Sequence, residues 1–225
     1  MIKKAKTTIF LFMTLLIIAG TLPGFSQNAQ KTELTQATKV QEPEYETTST
    51  FKVLKNDVIK INGIPEKVFI SPIKNIILVP DSKNNYFHII ENYKHHPNLA
   101  DYKIITGAYP IQVTASKDVK RVYVLNKQDN SFHIYNFNND RTTLIKKIQT
   151  SINPTSMVIS KDDKYLYVSC QGNNAIEVYK LQDEFTTKIN TILVGVHPTN
   201  LEISQDGRFI SLINKGDNSL SVINI

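Results

Sequence analysis

PTNLEISQDGRFISLINKGDNSLSV, residues 198–222, decides the fold. After Pro198 the apolar residues Leu201 and Ile203 alternate with polar ones, the period-2 pattern of a strand. Ser204-Gln205-Asp206-Gly207-Arg208 is a polar turn in which Asp-Gly supplies the positive φ of a tight hairpin. A second strand spans Ile210 to Ile213, Asp217-Asn218 marks a second turn, and Leu220 and Val222 alternate again in a third strand. Three short antiparallel strands in 25 residues leave no room for a helix, and no i, i+3, i+4, i+7 apolar spacing occurs outside the N-terminal leader.

The same stretch recurs upstream. Pro65, Pro110, Pro154 and Pro198 are spaced 45, 44 and 44 residues apart, and each is followed six residues later by Ser71, Ser116, Ser160 or Ser204. An amide or acid pair follows each serine at a fixed distance: Asn84-Asn85, Asp129-Asn130, Asn173-Asn174 and Asp217-Asn218. Second strands are predicted over Ile76–Val79, Val122–Leu125, Leu166–Ser169 and Ile210–Ile213. Third strands carry Phe87/Ile89, Phe132/Ile134, Ile176/Val178 and Leu220/Val222, and looser fourth strands cover Tyr102–Thr106, Thr143–Ile148 and Lys188–Leu193. Four short strands per unit of about 44 residues is the signature of a β-propeller blade. The chain is therefore all-β, with about four blades of four antiparallel strands.

Blade units fall at about 62–106, 107–150, 151–194 and 195–225, within a repeat domain over 51–225. Residues 57–61 precede the first proline where a fourth strand stands in other units, so they are expected to act as a closing strand beside the third strand of the last unit. On that arrangement four blades form a closed ring. The alternative is an open arc of a larger propeller. An uncovered blade face of ~500 Å² forgoes about 12 kcal/mol at ~25 cal/mol per Å², so an open arc calls for a partner, a homodimer, or more chain.

Upstream of the repeats, Met1–Lys6 is basic, Ile9–Ala19 is an apolar run too short to span a bilayer, and Gly24-Phe25-Ser26 places small residues ahead of Gln27. Residues 1–26 read as a signal peptide and 27–50 as a polar, disordered linker. The expected localisation is exported: periplasmic, cell-surface or extracellular, with no membrane span after cleavage. Removing Lys3, Lys4 and Lys6 takes the formal charge from +6 to about +3, and with both signs interspersed no basic stripe remains for nucleic acid. Cys170 is the one cysteine, which excludes an intrachain disulfide and a cysteine metal cage.

The residues of the repeat also carry a resemblance. Gly-x-x-Pro, Ser-x-Asp-Gly, Tyr123-Val124-Leu125-Asn126, Tyr167-Val168-Ser169-Cys170 and Asp-Asn-x-x-x-Val resemble the YVTN-type β-propeller repeat family. The pattern degrades to Ser211-Leu212-Ile213-Asn214 in the last copy and Ile77-Leu78-Val79-Pro80 in the first. The resemblance covers about residue 57 to the end. It implies a propeller similar to lactonase-like and quinoprotein-like proteins, commonly seven-bladed, several of them non-catalytic surface or periplasmic proteins.

Candidate site residues come from the repeat register. The second position after each proline is polar in every copy: Lys67, Gln112, Ser156 and Asn200 are expected to ring one mouth of the central channel as a ligand-binding set. His88 and His133 share a repeat position that reads as polar and outward, with Glu177 and Ser221 in the other copies. His95-His96 sits in a polar loop without ligand-spaced partners. Asp162-Asp163 and Asp183-Glu184 fall in turns. No nucleophile elbow, zinc-protease or phosphate-loop motif occurs, so no catalytic residue, metal or cofactor is assigned. The expected function is a non-enzymatic module binding a protein or small molecule; the alternatives are a lactonase-like hydrolase and an envelope or surface structural protein.

Overall fold

The computed structural model describes residues 58–94, 97–138 and 141–225. The leader, the linker and His95-His96 lie outside them. Four antiparallel sheets follow one another along the chain. The first orders β1 (Phe69–Ile70), β2 (Ile76–Asp81), β3 (Tyr86–Glu91) and β4 (Asn98–Ile105). The second holds β5 (Pro110–Ala115), β6 (Arg121–Asn126), β7 (Ser131–Asn136) and β8 (Thr143–Gln149), and the third β9 (Pro154–Ile159), β10 (Tyr165–Cys170), β11 (Ala175–Lys180) and β12 (Thr187–Leu193). The fourth has three strands, β13 (Pro198–Ile203), β14 (Phe209–Asn214) and β15 (Ser219–Asn224). Each sheet is a meander in chain order, which is a propeller blade. The first strands β1, β5, β9 and β13 lie side by side at the inner edge.

Two expectations change. Residues 58–61 form no strand and Val58 is exposed, so the closing strand read over 57–61 is not seen to pair with β15. In the first blade, pairing sets Leu78 opposite Ile89 as it sets Tyr123 opposite Ile134. The segment matching Tyr123–Asn126 is therefore Leu78-Val79-Pro80-Asp81, one residue later than the sequence pattern suggests, because the first repeat holds 45 residues. A 3₁₀ turn at Asp183–Phe185, also unforeseen, links β11 to β12.

The core lies between blades. On β6, Val122 and Val124 pack with Ile76, Leu78, Phe87 and Ile89 of the first blade, while Tyr123 and Leu125 pack with Met157, Leu166 and Val168 of the third. Tyr167, Ile176 and Val178 close the third seam on Leu201, Ile210 and Leu212. Alternate side chains of one strand thus enter two different cores, and the middle strands of the second and third blades are buried on both faces.

The repeat anchors are structural. Ser116 and Ser160 each donate a hydroxyl hydrogen bond to the carboxylate two residues on, at 2.7 and 2.6 Å, and Ser204 does the same to Asp206. Each serine oxygen also accepts from the amide five residues on, Arg121, Tyr165 and Phe209 respectively, closing the first turn. In the first blade Ile73 replaces the acid, and Ser71 caps Lys74 N–H at 2.8 Å instead. At the second turn Asn85, Asn130 and Asn174 adopt positive φ and accept the amide before the next blade's proline. The partners are Tyr109, Asn153 and His197, at 2.9, 2.7 and 3.0 Å. The asparagine is a latch from one blade to the next.

Candidate functional site

The inner strands β5, β9 and β13 begin at prolines, whose missing N–H costs nothing on a sheet edge, and Pro65 stands just ahead of β1. They border a cavity of about 370 Å³ lined by Lys67, Gln112, Met157, Ser160, Lys161 and Glu202 among others. Ser116, Lys117 and Ser160, at the strand ends away from the prolines, line it too. Lys67 reaches from the first blade to Glu202 of the fourth, Nζ donating to Oε1 at 3.2 Å, with both side chains at least half exposed. This pair joins positions 135 residues apart.

The four predicted channel residues divide in two. Lys67 stands in the cavity with its ammonium exposed. Gln112 is buried in the seam, where its Nε2 donates to Met157 O at 2.7 Å and its Oε1 accepts Met157 N–H at 3.0 Å. The amide thereby mimics a strand partner for the neighbouring blade. Ser156 is buried beside it and donates to Gln112 Oε1 at 3.3 Å. Asn200 is exposed, with φ of 52°, where the β13–β14 register shifts. Gln112 and Ser156 therefore stitch blades together, while Lys67 and Asn200 stay open to solvent. Glu202 escaped the sequence reading. Its signal was a break in the repeat: the fourth position after the proline is Phe69, Thr114 and Val158 in the other copies.

The histidine position is corrected. His88, His133 and Glu177 do not point outward; all three are buried. For His133 and Glu177 the reason is the preceding blade, which covers the face they share with Tyr135 and Tyr179 and which a two-layer sheet would leave to water. His88 Nε2 meets Asp81 Oδ2 at 3.3 Å, and His133 Nδ1 meets the Tyr135 hydroxyl at 3.3 Å. Glu177 accepts from Tyr179 OH at 2.7 Å, Lys188 Nζ at 2.9 Å, and both Ser151 Oγ and Ser151 N–H. Burial alone would raise its pKa; the hydrogen bonds from Tyr179, Lys188 and Ser151 outweigh it and hold the carboxyl below its usual range. Cys170, buried and 3.7 Å from Glu177, has its thiol pushed up to about 12 by burial and the adjacent carboxylate. It is a core residue in the protonated state.

Burial, aided by the Lys147 charge, pushes His133 down to about 4. A neutral buried imidazole makes a folding penalty that is absent above its unfolded value near 6.5 and grows as pH falls toward 4. The His133 imidazole proton resonances are expected to stay unshifted from pH 7.5 to 5; a midpoint near 6.5 would contradict the burial.

Away from the channel, Arg121 clamps the second blade to the third. Its Nε and Nη2 donate to the two Asp183 oxygens at 2.6 and 2.9 Å, and Nη1 donates to Asn136. The Asp183-Glu184 pair is thus one clamp residue and one solvated acid. Asp162 caps its own turn and Asp163 accepts Lys117 N–H at 2.9 Å. No group of three His, Cys, Asp or Glu that could hold a metal occurs among the described residues, and no helix there is long and apolar enough to cross a membrane.

A family model described as lactonase, 7-bladed beta-propeller, matches residues 74–190. No curated protein matches the chain. Among solved structures, it superposes on a proposed 6-phosphogluconolactonase from Bacteroides uniformis with TM-score 0.65 and 18% identity, covering 71% of this chain and 50% of that one. The periplasmic gluconolactonase of Pseudomonas aeruginosa gives TM-score 0.63 and 18% identity over 72% of this chain and 50% of its own. A proposed 6-phosphogluconolactonase from Bacteroides fragilis gives 0.63 and 18% over 71% and 50%. At such identity the likeness shows the fold. The chain spans about half the length of these structures.

Proposed function

We propose, for a chain that belongs to the lactonase family of seven-bladed β-propellers, that its inner-strand cavity binds a polar lactone and opens it by hydrolysis. The observation that carries this reading is the Lys67–Glu202 pair, two opposite charges brought to one cavity by different blades. In lactone opening, water adds to the carbonyl carbon, the ring C–O bond breaks, and a hydroxy acid forms. Glu202 is placed to take the proton from the attacking water, and the Lys67 ammonium to stabilise the developing oxyanion. Asn200, exposed on the same inner strand, is a candidate hydrogen-bond donor to substrate hydroxyls. The YVTN-type repeat, as the finer identity of these blades, agrees with this reading.

The test is hydrolysis of glucono-δ-lactone above its spontaneous rate. Lys67→Met and Glu202→Gln are each expected to lower kcat/KM by at least 10-fold, while the exposed pair contributes only about 0–1 kcal/mol to stability. Wild-type turnover no faster than the spontaneous reaction would remove the hydrolytic reading; lactone binding without turnover would restore the non-enzymatic module. Export belongs to the same proposal and rests on Met1–Ser26. A mature N-terminus at Gln27 in exported protein tests it, and an intact leader on that protein counts against cleavage.

A further inference from the structure

The two ends of the blades differ in chemistry. At the end away from the prolines, turns pair their own charges: Lys120 with Asp118, Lys164 with Asp162 and Arg208 with Asp206. The proline end is otherwise. There the loops into β5, β9 and β13 meet the β6–β7, β10–β11 and β14–β15 turns through backbone bonds such as Lys127 N to Tyr109 O and Gly216 N to Val196 O. On this one end stand Ile64, Ile105, Tyr109, Ile152, Leu193 and Val196, exposed by 40–80%. These exposed apolar side chains recur at the same end of every blade, whereas single exposed hydrophobics need no explanation.

We propose that this proline end is a contact face for a second copy of the chain. The face carries both halves of a self-complementary fit. Ile105 and Leu193 project, at 79% and 80% exposure, and Tyr109 and Ile152 wall an apolar hollow of about 340 Å³ beside Lys127. Its charges match a copy of itself as well. The β6–β7 turn presents Lys127 and Asp129, and the β14–β15 turn Lys215 and Asp217, while among the described residues neither lysine enters an ion pair. A twofold contact brings a patch against its own image, so equal cations and carboxylates pair off, whereas a surface of one sign would meet repulsion from half of them. The lactone reading is not needed for this proposal. The cavity reaches the strand ends opposite the prolines, and stacking leaves that mouth open.

Cysteine crosslinking of the full chain reads the face directly, since Cys170 is buried and gives little background. Leu193→Cys is expected to form an oxidised dimer at micromolar concentration, and adding Ile152→Asp is expected to reduce the yield at least 10-fold. Phe185→Cys, exposed at the other end, is expected to stay monomeric. Unchanged far-UV circular dichroism of each variant checks that the blades are intact, and lactone turnover is not part of the readout. Equal dimer from Phe185→Cys overturns the proposal. So does a dimer that survives Ile152→Asp but is lost with Leu220→Asp, which would locate association on the exposed sheet face of the fourth blade. The chain has no tryptophan, so Ile152→Trp is a single reporter. A blue shift only on adding phosphatidylglycerol vesicles would make the occupant a lipid surface and overturn the second copy.

Discussion

Glu177→Leu is expected to destabilise the propeller by about 3 kcal/mol, near the low end of what removing one partner of a buried ion pair costs. The carboxylate is fully buried and ties four groups together: Tyr179 OH, Lys188 Nζ, and the hydroxyl and amide of Ser151. Leucine fills similar space yet leaves the Tyr179 hydroxyl and the Ser151 amide without this acceptor inside the seam. Lys188 is half exposed and can rehydrate, which keeps the loss from reaching the upper range. Urea unfolding should show a lower midpoint with an unchanged slope. An unfolding free energy within ~0.3 kcal/mol of wild type would show that the network contributes nothing net.

The same carboxylate sets an acid limb. Its folded-state pKa is below the ordinary value of 4.5, so the unfolded chain takes up the proton first as pH falls. The stabilisation is complete above the unfolded value and is lost as pH drops through the folded one. Wild type should therefore lose stability more steeply below pH 4.5 than Glu177→Gln does. The His133 penalty acts at higher pH, between about 6.5 and 4, which separates the two in a stability profile.

Gln112→Ala is the second large effect, expected at about 2–4 kcal/mol. It removes both hydrogen bonds to the Met157 peptide and leaves that buried N–H and C=O unpaired at the inner seam. It also strips the acceptor from Ser156 Oγ. The decisive comparison is with Lys67→Met. Gln112→Ala should lower the unfolding midpoint while leaving lactone kcat/KM within about twofold in the folded fraction, and Lys67→Met should do the reverse. If Gln112→Ala instead leaves stability intact and abolishes lactone binding, its amide faces ligand and the seam assignment fails.

This contrast shows where sequence reasoning stops. Lys67, Gln112, Ser156 and Asn200 occupy one repeat position, and nothing in their spacing distinguishes them. Gln112 is long enough to reach across the seam to Met157, Ser156 sits beneath it, and Lys67 continues past the strand edge to Glu202. A register identifies equivalent backbone positions; side-chain length and the neighbouring blade decide which group is consumed in packing. Glu202 was visible only as an acid where the other copies hold Phe69, Thr114 and Val158.

Local chemistry along the chain was enough for the strands, the turns and the blade repeat. Asp-Gly and Asn pairs specify hairpins by their φ preferences, serine and aspartate close the first turn within five residues, and period-2 apolar runs specify strands. These are short-range effects, and they need no knowledge of the neighbours. The fate of the alternate face needed the tertiary structure. His133 and Glu177 have the spacing of solvent-facing residues, yet each shares its face with a tyrosine packed on the preceding blade, so polar groups that a half-buried sheet would give to water become buried hydrogen-bonded clusters. Face-to-face packing makes both sides of the middle strands of the second and third blades interior, and no period-2 pattern within a single blade carries that information.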